Sequence, residues 1–189
     1  MELNSVTFLF FIVFYFIGSI PFALIVHKFM STADPRKSGS MNPGATNMYR
    51  LAGPLPGILT FLGDFSKGFV PVYFLVGQNM TAAYICSLFL LFGHMFSVFN
   101  NFKGGKGVAT SFGFILALDF QIGLVVLMTW VIIFALKRIS GLSAVVSFIF
   151  LPVIIFFISN NQLLFLISIF HSVIILINHR KNIKEILEG

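Results

Sequence analysis

Two short stretches of this 189-residue chain bring together residue types that handle anions. The first runs Asp34-Pro35-Arg36-Lys37-Ser38-Gly39-Ser40-Met41-Asn42-Pro43-Gly44-Ala45-Thr46-Asn47-Met48-Tyr49-Arg50. Glycine lets the backbone turn its amides inward, hydroxyl and amide side chains add donors, and an arginine offers a planar fork that suits phosphate. Ser38, Gly39, Ser40, Asn42, Gly44, Thr46, Asn47 and Arg50 are therefore candidate phosphate ligands. The same residue types also build ordinary solvated turns. Donors this dense beside an arginine exceed what a turn requires.

The second stretch begins with Gly93-His94 at the end of an apolar run and continues as Asn101-Phe102-Lys103-Gly104-Gly105-Lys106-Gly107-Val108-Ala109-Thr110. Glycines and two lysines at the start of a helix make a natural anion seat, because the first-turn amides point outward and the helix dipole favours negative charge there. This gives His94, Lys103, Gly104, Gly105 and Lys106 as further candidates. A plainer reading makes the lysines interfacial anchors and His94 a satisfied polar residue at a helix end. The run approaches a Walker A loop, but Gly107 follows Lys106 where that motif needs Ser or Thr, so an NTP-hydrolysing P-loop is not expected.

Two more groups could do chemistry. Asp64 and Lys67 stand three residues apart inside an apolar run, so they share a helix face and can pair. Ionisable residues at membrane depth are expensive and mark a pathway or site, although a purely structural ion pair would look the same. The tail carries His179-Arg180-Lys181-Asn182-Ile183-Lys184, whose plainest reading is interface anchoring by an amphipathic end. His, Asp and Glu show no metal-ligand spacing, and no metal or cofactor is expected. Cys86, the single cysteine, has no partner for a disulfide.

The elements that must position these residues are membrane spans. The chain is 58% hydrophobic and 10% charged, and a soluble domain carries about 25% charged residues. Apolar runs of 17 residues or more match the length needed to cross a hydrocarbon layer of roughly 30 Å. Spans are expected near 6–30, 52–76, 80–99, 107–118, 120–137, 141–159 and 161–178, within a single all-α transmembrane domain covering 1–189. The first run follows Met1-Glu2-Leu3-Asn4, which lacks a basic n-region, and is read as a retained span. Two spans look irregular: the fourth is short, and the second holds Asp64, Lys67 and two prolines near its start. Short or broken helices at depth occur where protein or a water-filled cavity surrounds them.

The net charge of +6 could suggest a nucleic-acid partner, but the basic residues sit in short loops and no nucleic acid is expected. Eleven of the twelve Lys and Arg residues fall in alternate connections, with Lys67 the exception. The positive-inside rule then places the C-terminus in the cytoplasm and, with seven spans, the N-terminus outside.

The first loop, the Gly-His…Phe-Lys-Gly-Gly-Lys-Gly-Val-Ala-Thr run and the His-Arg-x-Asn-Ile tail together resemble the bacterial acyl-phosphate:glycerol-3-phosphate acyltransferases. Gly18-Ser19-Ile20-Pro21, Arg50 three residues after Asn42–Asn47, and Lys67-Gly68 extend the resemblance over about residues 18–187. It implies an enzyme of the bacterial inner membrane working on its cytoplasmic side. The substrates would be acyl phosphate and glycerol 3-phosphate, and the products lysophosphatidic acid and inorganic phosphate of phospholipid biosynthesis, with membrane lipid as surroundings. It also implies catalytic roles for Ser40, Arg50, Lys106, His179 and Asn182 and substrate contacts from the remaining candidates, Asp64 and Lys67 included. A mixed anhydride is already activated, so positioning and charge stabilisation would be the main tasks. Two positions depart from the family: Met41 stands where glycine is usual, and Gly141 where a serine is usual. If position 41 needs a positive φ, a methionine there is costly. A transporter of a phosphorylated metabolite is the alternative, since short helices and cationic loops suit translocation too, but the outward connections are short and carry no lysine or arginine.

Overall fold

The computed structural model describes residues 5–188, and their side chains from residue 8 onward. The observation on Met1-Glu2-Leu3-Asn4 lies outside the described residues. The described chain is helical, with no strand among its residues: α1 (Ser5–Ser19), α2 (Phe22–Met30), α3 (Ala45–Ala52), α4 (Pro54–Val76), α5 (Met80–Met95), α6 (Val108–Leu118), α7 (Phe120–Lys137), α8 (Ser140–Ile158), α9 (Gln162–Asn178) and α10 (Arg180–Leu187). Five stretches are long and apolar enough to cross a membrane: Phe8–Met30, Pro54–Val76, Met80–Asn100, Phe120–Lys137 and Ser140–Ile158. The helix Gln162–Asn178 reaches that standard only together with α10, to which it bends by 66°, and α6 is a short apolar helix.

The irregularity expected in the second span lies instead in the first. Pro54 and Pro56 fall in the first turn of α4, where a missing N–H costs nothing, and the helix then runs unbroken for 23 residues. The first span breaks at Ile20-Pro21. Pro21 offers no amide and disfavours the helical conformation of the residue before it. The carbonyls released there are taken by side chains from elsewhere in the chain: the Ser97 hydroxyl, just past α5, donates to Ser19 O, and Lys67 Nζ of α4 donates to Ile20 O at 2.7 Å.

The chain forms two compact units, residues 1–114 and 115–189. In the first, two helix pairs meet backbone to backbone through reciprocal glycines. A Cβ on Gly18 would overlap the Leu90 carbonyl, and one on Gly93 would overlap the Tyr15 carbonyl, so α1 and α5 touch at both. Gly68 meets Thr110 O, and Gly113 meets Phe65 O, joining α4 to α6 in the same manner. Lipid gives helices no hydrophobic reason to associate, and such close approach supplies the van der Waals contact instead. In the second unit α8 packs between α7 and α9, and α10 folds back on α8 and α9. Phe148, Leu151 and Ile155 of α8 and Ile175 of α9 are fully buried there.

Three turns in the connections that carry no lysine or arginine supply their own caps. Asn79, Asp119 and Asn161 accept the amides of Ala82, Ile122 and Leu164 at 2.9–3.0 Å. Outward faces are apolar: Phe8, Leu9, Tyr73, Phe74, Phe156 and Phe157 are all largely exposed. In water such faces would drive aggregation, and a hydrocarbon surround suits them.

Candidate active site

The first loop, residues 31–44, is shaped from beneath by Asn47 of α3. This buried side chain donates to Pro35 O at 3.0 Å and Ser38 O at 3.1 Å, while its oxygen accepts the Ser40 amide at 3.0 Å. Both amide hydrogens are thus engaged in holding the loop, so Asn47 sits below the loop rather than at its open face. Gly39 has φ +62, and its missing Cβ leaves the room that the Asn47 oxygen fills. Met41 also adopts a positive φ, +54, with its side chain exposed. The condition that makes a methionine costly at this position is therefore met.

Ser40 and Arg50 face outward. Both are exposed, and neither the Ser40 hydroxyl nor the Arg50 guanidinium has a hydrogen bond or ion pair among the described residues. Ser38, Asn42, Gly44 and Thr46 are half-buried around them, and Gly44 opens α3. Arg36 is in a different condition. Its Nε and Nη2 grip the Asp34 carboxylate, with the shortest contact at 2.7 Å, and its Nη1 donates to Asn100 Oδ1 at 3.1 Å. The guanidinium holds the Asp34 carboxyl well below the usual carboxylate range, and the pairing raises Arg36 further above its own.

The second loop is docked onto the end of α5. Gly104 N donates to Met95 O at 2.9 Å and Gly105 N to His94 O at 3.2 Å. A Cβ on Gly104 would overlap the His94 carbonyl, and one on Gly105 would strike the His94 ring. The two glycines thus serve close approach, and their amides point to α5 rather than to a ligand. Gly107, at φ +88, redirects the chain into α6, whose first-turn amides have no partner within the helix. Lys103 is exposed and Lys106 half-buried. Asn100 donates to the Lys103 carbonyl, so the residue that binds Arg36 also shapes this loop.

Asp64, Lys67 and His94 form a buried cluster. The i,i+3 spacing makes the pair expected from it, Lys67 Nζ to Asp64 Oδ1 at 2.8 Å. His94 Nδ1 lies 3.6 Å from the same oxygen and 3.3 Å from Thr110 Oγ1. Lys67 also bonds Ile20 O, so the cluster ties α4 to the break in the first span, to α5 and to α6.

His179 and Asn182 belong to the second unit. His179 stands at the bend between α9 and α10, buried, with Nδ1 at 2.9 Å from Ile175 O. A carbonyl only accepts, so Nδ1 carries the proton and a neutral ring leaves Nε2 as its basic nitrogen. Asn182 donates to Glu185 at 3.3 Å and lies against Gly141, where a Cβ would come within 2.9 Å of its Cγ. The glycine in place of a serine therefore makes the room in which this amide sits. Asp34, Arg36, Asn100 and Thr110 join the expected residues here. Asp-x-Arg has the local spacing of a turn in which the carboxylate accepts the amide two residues on, as it does at 3.0 Å. Asn100 and Thr110 gave no comparable signal, since Arg36 and His94, the side chains they meet, are distant in sequence.

A family model described as glycerol-3-phosphate acyltransferase matches residues 8–189. A glycerol-3-phosphate acyltransferase from Methylococcus capsulatus (strain Bath) is 40% identical, the match covering 93% of this chain and 89% of the relative. One from Chromobacterium violaceum is 39% identical over 99% of this chain and 94% of its own. The crystal structure of PlsY (YgiH), an integral membrane glycerol 3-phosphate acyltransferase, superposes in its glycerol 3-phosphate form with a TM-score of 0.92 at 33% identity, covering 98% of this chain and 94% of that one. Its lysophosphatidic acid form gives 0.90 at 32% identity, covering 98% and 93%. Agreement in sequence and in backbone thus runs over almost the full length of the chain, and with it the chain belongs to the glycerol-3-phosphate acyltransferase family of integral membrane proteins.

Proposed function

We propose that the chain transfers a fatty acyl group from acyl phosphate to the 1-hydroxyl of sn-glycerol 3-phosphate, at the cytoplasmic face of a bacterial inner membrane. The hydroxyl oxygen attacks the acyl carbon, the bond from that carbon to the phosphate oxygen breaks, and the hydroxyl proton passes to a phosphate oxygen. Lysophosphatidic acid and inorganic phosphate leave. The observation that carries the reading is a pair of anion-ready loops, bonded to each other through Arg36 and Asn100, one presenting the Ser40 hydroxyl beside the Arg50 guanidinium of α3, both without a partner among the described residues, and the other presenting Lys103 at the entry to α6. Both substrates are phosphates, and cations placed in advance offset the charge that develops during transfer.

On this reading Ser38, Gly39, Ser40, Asn42, Gly44 and Thr46 hold the acyl phosphate, with Asn47 shaping their loop. Arg50, Lys103 and Lys106 hold glycerol 3-phosphate together with Ser40, and His179 and Asn182 join them on the strength of their motif. Asp64 is the carboxylate closest in kind to a base, and its pairing with Lys67 favours a substrate phosphate as proton acceptor instead. Turnover by a folded Asp64→Asn protein would agree with that; its abolition with folding and binding intact would assign the base to Asp64. The overall test is phosphate release by the purified protein in lipid, given palmitoyl phosphate with and without glycerol 3-phosphate, and palmitoyl-CoA as control. Release that needs glycerol 3-phosphate, yields lysophosphatidic acid and fails with the CoA ester supports the proposal. Equal use of the CoA ester overturns the choice of donor.

A further inference from the structure

Two arginines serve the first loop, Arg36 within it and Arg50 from α3, and they stand in opposite states. Arg50 is exposed and unpaired among the described residues, whereas Arg36 has its charge met by Asp34 at 2.7 Å and its remaining reach directed at Asn100. A guanidinium already forked onto a carboxylate has lost much of its attraction for a second anion. What it keeps is a rigid shape that spans two fixed points. Those points matter, because they belong to different loops. Asp34 is tied into the loop of Ser40 through the Arg36 and Lys37 amides, and Asn47 fixes the neighbouring Pro35, Ser38 and Ser40. Asn100 closes a short turn, Val98–Asn100, with its amide group on the Lys103 carbonyl.

We propose that Arg36 is a positioning residue of the acyl-transfer site: held by Asp34 and bonded to Asn100, it fixes the spacing between the loop that presents Ser40 and the loop that presents Lys103. The inference rests on the function proposed above and deepens it. Acyl transfer between two phosphate-bearing substrates requires the attacking oxygen to be held about 3–3.5 Å from the acyl carbon and aligned with it. With acyl phosphate held by the first loop and glycerol 3-phosphate held in part by the second, the distance between loops sets the distance between reactants.

Two measurements test this, one of which uses no substrate. Spin labels at the exposed positions 37 and 99, in a Cys86→Ala background, report the loop separation by pulsed electron resonance in lipid. The distribution is expected to be narrow in the otherwise unchanged protein and broad in Arg36→Ala and in Asn100→Ala; an unchanged width overturns the proposal. In the acyl phosphate assay, Arg36→Ala and Asn100→Ala should each lower kcat by roughly ten- to a hundredfold, as misplacement does, with KM for glycerol 3-phosphate altered far less. The double variant should be no worse than the poorer single, because both remove one link. Multiplicative losses, or a large KM rise in Arg36→Ala alone, would make Arg36 a substrate ligand and overturn the positioning role. If the parent protein does not turn over acyl phosphate at all, the proposed function fails, and the label distances still decide whether Arg36 joins the loops.

Discussion

At the scale of single residues, the site separates groups that can meet a substrate from groups already occupied. Arg50 has no competing partner among the described residues and presents its whole fork, so Arg50→Lys keeps the charge but loses the paired geometry. A fall in kcat/KM of roughly tenfold or more is expected, in the range seen when one stabilising donor is removed, and near-full activity would take Arg50 out of the phosphate site. Met41 makes a different prediction. A left-handed backbone costs an L-residue roughly 1–2 kcal/mol, and glycine returns part of that gain through its freer unfolded chain. Met41→Gly should therefore stabilise the protein by about 0.5–1 kcal/mol, read as a rise in melting temperature in detergent; a lower melting temperature would show that the methionine side chain contributes contacts that outweigh its φ of +54. The oddity of Met41 was legible through the resemblance, in which glycine is usual at that position, because residue type limits backbone conformation. The occupied state of Asn47 was not, because an asparagine in a donor-rich loop looks the same whether it faces a ligand or props the loop from below.

At the scale of elements, glycine does more for this fold than for ligand binding. Gly104 and Gly105 read as a phosphate cradle in the sequence, yet their absent side chains let the loop lie on the His94 and Met95 carbonyls. Sequence spacing identifies a glycine that matters without revealing what approaches it. Gly105→Ala should displace the His94 ring and reduce kcat while the helices remain folded, measurable as lost turnover with little change in helical circular dichroism. Gly68→Leu should do the reverse kind of damage, prising α4 from α6 at the Thr110 carbonyl and destabilising by roughly 1–3 kcal/mol or more. The Asp34–Arg36 pair has its own pH signature. A carboxyl whose folded pKa is depressed contributes stability that is present above the unfolded value near 3.9 and is lost as pH falls through the lower folded value. The loop clamp is thus fully formed throughout pH 5–8. Asp34→Asn should lower activity across that window without changing the shape of the pH profile, and a shifted acid limb would show that Asp34 titrates in the working range.

At the scale of the whole molecule, apolar run lengths gave the helices because hydrocarbon thickness sets a length that sequence can state directly. They did not give the break at Ile20-Pro21, since a proline inside an apolar run breaks a helix only where other groups take over the freed carbonyls, and Ser97 and Lys67 lie far along the chain. Orientation rests on a separate physical fact: eleven basic residues occupy alternate connections, and the three turns between them are closed by Asn79, Asp119 and Asn161. Moving lysines and arginines outward across the membrane is opposed during insertion, so the basic connections should all face the cytoplasm. The consequence can be read residue by residue with a membrane-impermeant thiol reagent on spheroplasts. In a Cys86→Ala background, single cysteines at Gln78 and Asn160, both exposed, should be labelled from outside, and those at Lys37 and Lys181 only after the membrane is opened. That pattern requires an odd number of crossings between Lys37 and Gln78, and again between Asn160 and Lys181. Between Gln78 and Asn160 the number must be even, which makes the eleven-residue α6 count as a crossing alongside α5, α7 and α8. Labelling of Asn160 from the cytoplasmic side with Gln78 outside would instead make α6 re-entrant, leave six spans, and put the loops that present Ser40 and Lys103 on the same face as Asn160.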